Sequence, residues 1–262
     1  MEMTKKRNIL IDDTKFSTTK GPWFGELPVP EGGDYDFAFI SDRTGGAVHE
    51  MFEKGLEAAK RLNPDFIVSI GDLVEGYWTD EAEAHGEWDR IDPLLAGLGV
   101  PVFQTVGNHD YGTEAMIRVW RERKGIDYYA FRYDRTLFLV ANTETAPLSL
   151  PEAMLELMQQ ANRELIRNPQ ALFMDLMRDL AGDNVPAEAW KMTEDTLIDP
   201  HLSEEQIDFS SGCWRTTPMS TGRSSACISR PGRSRTRSSN GWSGCSRSVL
   251  TPSYPVTCTI WK

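Results

Sequence analysis

No aspartate or glutamate follows Asp208, no cysteine precedes Cys213 and no histidine follows His201. The formal net charge of −11 over 262 residues therefore conceals a split: residues 1–209 hold all 39 acidic side chains, while the last 53 residues hold eight Arg or Lys and no acid. The cysteines are too far apart for a zinc ribbon or finger: Cys213, Cys227, Cys245 and Cys258 lack the close pairs such sites need, so they read as unpaired thiols. No apolar run reaches the roughly 18 residues that a bilayer span requires. Lys5-Lys6-Arg7 leads to Asp12-Asp13 and not to the apolar stretch of a secretory signal, so the expected location is cytoplasmic, with no membrane partner.

What is present is a layered α/β pattern. Residues 1–34, with Gly21-Pro22, Pro28, Pro30 and Gly32-Gly33, predict an irregular lead-in. From residue 35 the order is strand, helix, strand, helix, strand. Asp36–Ser41, Asp65–Ile70 and Pro101–Val106 are the apolar runs, and Val48, Phe52, Leu56 and Ala59, then Trp88, Ile91, Leu94, Leu95 and Leu98, step at helical spacing between them. A third helix is expected over Met116, Val119 and Trp120. Tyr128–Tyr133 and Thr136–Ala141 read as a hairpin about Asp134-Arg135, so the sheets are mixed and flanked by helices. Residues 151–200, rich in Leu, Met, Ala and Glu with a break at Pro186, predict a helical insertion. Ser203-Glu204-Glu205-Gln206 has the form of a capping box opening one more helix. The domain is expected to end at residue 209, and 210–262 to be a disordered basic tail in which the last strands are lost or scrambled.

All three strands of the first half end in polar groups suited to chemistry: Asp42 after the first, Gly71-Asp72 after the second, and Gly107-Asn108-His109-Asp110 after the third. Hydrolysis of a phosphate ester is among the slowest reactions in water, with enzymatic accelerations of up to ~10²¹. Two divalent ions about 3.5–4 Å apart meet that demand by clamping phosphoryl oxygens and lowering the pKa of a water. Such a site needs a carboxylate bridging the ions, further oxygen and imidazole ligands, and a proton donor near the leaving oxygen.

Residues 36–145 resemble the calcineurin-like metallophosphoesterase family, whose pattern is D-x-H, G-D, G-N-H-D/E, an isolated His and a final G-H-x-H. The resemblance implies a phosphoester substrate and divalent ions, with Mn, Fe, Zn and Mg all chemically allowed. It implies that Asp42 binds the first metal, Asp72 bridges, Asn108 binds the second, His109 protonates or polarises the leaving group and Asp110 orients His109. Thr44 stands where the family has the metal-binding His of its first motif, which weakens the first site. Arg43 has two readings, a clamp on a phosphate oxygen or a partner of a neighbouring carboxylate, and Gly45-Gly46 at a helix start suits an anion. His49, His85 and His201 read as solvated surface residues.

The isolated His and G-H-x-H are absent, and the tail explains why. If each true codon takes the wobble base of one residue and the first two bases of the next, Cys227–Gly232 reads M-H-K-P-A-W, with His at position 228, and Val256–Thr259 reads G-H-L-H. Two motifs recovered in family order indicate a frameshift near residue 210. The expectation is a metal-dependent phosphoester hydrolase with weakened metal binding and much reduced activity, because oxygen donors alone hold a cation less well than a set completed by imidazoles. The alternative is a catalytically silent binding protein whose basic Ser/Arg tail contacts nucleic acid or an acidic partner.

Overall fold

Phe66 and Val68 point to one side of their strand and Ile67 to the other, and all three are fully buried. Two-residue alternation with both faces apolar calls for packing on both sides, and the fold supplies it. The computed structural model describes residues 8–17, 20–32, 34–44, 48–144, 147, 150–182 and 201–216, together with the strand backbones 224–228, 245–250 and 255–261. Ten strands and six helices lie among the described residues: β1 Ile9–Leu10, β2 Trp23–Phe24, β3 Phe37–Ile40, α1 Met51–Arg61, β4 Phe66–Ser69, α2 Glu81–Ala96, β5 Val102–Gln104, α3 Glu114–Lys124, β6 Tyr129–Tyr133, β7 Thr136–Val140, α4 Glu152–Arg167, α5 Phe173–Ala181, α6 Glu204–Thr216, β8 Ser224–Ile228, β9 Cys245–Leu250 and β10 Pro255–Trp261.

Two sheets result, ordered β2-β5-β4-β3 and β1-β6-β7-β8-β10-β9. Phe66, Val68 and Phe103 of the first meet Ile9, Tyr129, Phe131 and Phe138 of the second. Ring contacts knit this layer, with Phe103 stacked on Phe131 at 4.0 Å and Phe131 on Phe138 at 4.7 Å. The opposite face of the four-stranded sheet, with Ile67 and Val102, is covered by Leu56, Trp88, Ile91, Leu95, Met116 and Trp120 of α1 to α3. On the far side Phe209 and Cys213 of α6 cover Leu10, Tyr128, Ala130 and Leu137. The layers run helix, sheet, sheet, helix, which is the expected mixed α/β architecture.

Several local expectations need correction. The lead-in is not wholly irregular: β1 pairs antiparallel with β6, and β2 with β5, so it supplies an edge strand to each sheet. The first helix begins at Met51, because Glu50 before it takes the left-handed conformation (φ 60°); Val48 stays exposed, and Gly45-Gly46 lies outside the described residues. His85 sits on α2, where it is 3.4 Å from Glu122 Oε2. The insertion forms α4 and α5 with a small core of Leu157, Ala161, Met177 and Ala181, while Pro186 lies outside the described residues. Gln206 N donates to Ser203 Oγ at 3.3 Å, the capping contact its sequence predicts.

That capped helix does not stop at residue 209. It continues to Thr216, because Gln206, Phe209 and Cys213 keep one buried face through the Ser-Ser-Gly text. After it come three strands described by their backbones. β8 pairs parallel with β7, and β10 pairs antiparallel with β8 and β9.

Candidate functional site

Parallel register brings three distant stretches to one edge. Ile40 is level with Ser69, and Ser69 with Gln104, so the loops after β3, β4 and β5 leave the sheet side by side. The chain turns sharply there, with Asp42 at φ 54°, Gly71 at φ 92° and Asp72 at φ 57°. Positive φ at two non-glycine residues is uncommon, and such strain collects at sites where side-chain placement matters. Asp42 N donates to Gly71 O at 3.4 Å and Arg43 N to Asp72 O at 3.0 Å, which ties the first loop to the second.

The second and third loops are joined through carboxylates. Asp72 Oδ1 accepts from His109 N at 3.0 Å. Asp110 Oδ2 accepts from Gly107 N at 2.9 Å and Asp72 N at 2.9 Å, and its Oδ1 accepts from Leu73 N at 3.0 Å and Val74 N at 3.4 Å. A carboxylate so enclosed is costly to ionise. Burial, and then the charge of Asp72, push Asp110 up to about 7, against the opposing pull of its amide donors. Close approach leaves no room for side chains at two glycines: a Cβ on Gly107 would lie 2.2 Å from Asp72 Oδ1, and one on Gly76 would lie 2.1 Å from His109 O.

Asp42, Asp72, Asn108, His109 and Asp110 therefore share one loop cluster. Asp72, Asn108, His109 and Asp110 are buried, and Asp42 is half-buried beside Ser41, whose hydroxyl donates to it. Asn108 Oδ1 is buried and accepts no hydrogen bond within the protein. A buried acceptor without a donor calls for a partner from outside the chain, and a cation meets that need. The carboxylates of Asp42 and Asp72 belong to the same loop cluster. Among the described residues no group of three or more His, Cys, Asp or Glu gathers as a metal-holding cluster.

Two neighbours were not singled out from the sequence. Glu75 Oε2 lies 3.8 Å from His109 Nδ1, with both side chains buried, and burial raises the Glu75 carboxyl above its ordinary range. Tyr77 meets the same imidazole edge to face at 5.5 Å. Their position, three and five residues beyond Asp72 in the same loop, was the available signal. The hydrogen bonds of Asp110 run to main-chain amides of the second and third loops, the latter being the loop that carries His109. Arg43 sits between α2 and the second loop. Its Nη1 lies 3.5 Å from Glu87 Oε2 and donates to Leu73 O at 3.2 Å, while Thr44 Oγ1 donates to Asp72 O at 3.1 Å.

The profile of the calcineurin-like phosphoesterase family matches residues 36–183, more than half of the chain. Among solved structures, a dimetal phosphatase from Danio rerio matches at 14% identity with a TM-score of 0.36, covering 68% of this chain. The match spans 64% of that phosphatase, slightly under two thirds of its length. Among curated proteins there is no match.

Proposed function

This chain belongs to the calcineurin-like phosphoesterase family, and from that premise we propose that its loop cluster is a phosphoester-hydrolysing centre that the altered tail leaves impaired. The observation that carries this reading is the bond from His109 N to Asp72 Oδ1, which puts the G-D and G-N-H-D loops in direct contact. Asp42, Asp72 and Asn108 would hold the divalent metal. When bound, such an ion supplies Lewis acidity and lowers the pKa of water.

The protein's own groups have separable tasks. Asp72 and Asp110 hold the two loops in register. Glu75 faces His109 Nδ1 and favours a proton there, which assigns Nε2 to proton exchange with the leaving oxygen. Arg43 steadies Glu87 and the Leu73 carbonyl beside the site. No helix among the described residues is long and apolar enough to cross a membrane. The missing imidazoles weaken metal retention, because no histidine follows His201.

Sequencing the gene around codon 210, followed by assay of the present chain and of a frame-restored chain with p-nitrophenyl phosphate and Mn²⁺, tests the proposal. Turnover should be low in the first and rise by orders of magnitude in the second. Strong metal-dependent turnover by the present chain would refute the impairment. Inactivity of the frame-restored, folded chain toward phosphoesters would refute the assignment itself.

A further inference from the structure

Beside the loop cluster lies a cleft of about 250 Å³ whose wall includes Arg43, Glu75, Glu87 and Arg90 on one side and Asn162 and Leu165 of α4 on the other. Asn162 is 1% exposed, and neither its Oδ1 nor its Nδ2 has a hydrogen-bond partner in the protein. An amide buried with donor and acceptor both unmet destabilises a fold, and Asn162 is one of the residues that line the cleft. The helix beneath it is fixed. Gln159 Nε2 donates to Tyr77 O at 2.7 Å, and Arg163 grips Glu83 with two bonds of 2.7 and 2.8 Å, so α4 is braced on the segment that follows Asp72 and Glu75.

We infer that this cleft is the leaving-group subsite of the proposed phosphoesterase, and that Asn162 is the specificity residue that reads two adjacent hydroxyls of a neutral polyol, one donating to Oδ1 and one accepting from Nδ2. The inference rests on the proposed function. Charge selects against a second anionic group: Arg43 and Arg90 are both turned onto Glu87, and Glu50 and Glu53 also line the cleft. Leu165, Ile166 and Pro169 supply an apolar flank of the kind that sits against a sugar's C–H face. The volume suits a group of monosaccharide size.

The test is calorimetric binding to the full chain with Mn²⁺, using inorganic phosphate, phenyl phosphate and glucose 6-phosphate as probes, in the native protein and in Asn162→Leu and Asn162→Ser. Glucose 6-phosphate should bind about tenfold tighter than phenyl phosphate, from two hydrogen bonds made to a site otherwise left unpaired. Both variants should lose that margin and keep their affinity for inorganic phosphate, and the leucine variant should melt higher because the unmet amide is gone. Equal binding of the two esters by the native chain, or a margin retained in either folded variant, overturns the role of Asn162 while leaving the phosphoesterase reading intact. Absence of binding of all three probes, in a chain shown by circular dichroism to be folded and by titration to hold Mn²⁺, overturns both.

Discussion

Replacing Asp110 with alanine removes the acceptor for four amide groups, those of Gly107, Asp72, Leu73 and Val74. Three of these bonds are 2.9–3.0 Å and buried, and each orphaned buried donor costs about 1–3 kcal/mol. Partial relaxation and entry of water reduce the sum, so Asp110→Ala should lose about 3–6 kcal/mol, a large part of a typical total of about 5–15 kcal/mol. Urea unfolding followed by tryptophan fluorescence reads this directly. The same residue predicts a pH effect. Its folded pKa is raised from 3.8 to about 7, so the stability it lends is complete below the unfolded value and disappears as pH climbs through about 7. Asp110→Asn, which cannot ionise, should flatten the native decline in stability between about pH 4 and pH 7. A loss under 1 kcal/mol in the alanine variant, or identical pH slopes for the native and asparagine chains, would refute the account of Asp110 as the tie between the loops.

Gly76→Ala should destabilise the fold by about 2 kcal/mol or more and lower its melting temperature, because its Cβ would meet the His109 carbonyl at 2.1 Å; an unchanged melting curve would count against that packing. Arg163→Ala should cost at most about 1 kcal/mol globally, since the ion pair is only partly buried, yet hydrogen exchange should rise in α4 and not in β4 or β5. Burial pushes the Cys213 thiol up to about 12, so peptide mapping after iodoacetamide at pH 8 should find it unmodified in the native chain and alkylated after denaturation.

The first half of the fold was legible because its signals are local. Phe66-Ile67-Val68 carries the strand in its own letters, and Gly107-Asn108-His109-Asp110 marks a strand end by composition alone. The side-by-side arrival of the three loops also follows from parallel order. Less could be read where partners are remote. Glu87 lies on a helix face whose partner, Arg43, sits 44 positions earlier, and nothing in the sequence about Asn162 distinguishes a buried, unsatisfied amide from a solvated one. The end of α6 was hidden for a different reason: Phe209 and Cys213 are only four residues apart, but Ser210-Ser211-Gly212 between them masks the periodicity that β1 and β6 reward with burial.

The four-stranded sheet and the three helices on its outer face use only residues 23–124, whereas β8 must find β7 across more than 80 intervening residues. Translation is vectorial, so the ribosome releases that complete subassembly well before codon 210 is decoded. Whatever sequence follows that point is therefore added to a body already built, and its folding is a finishing step.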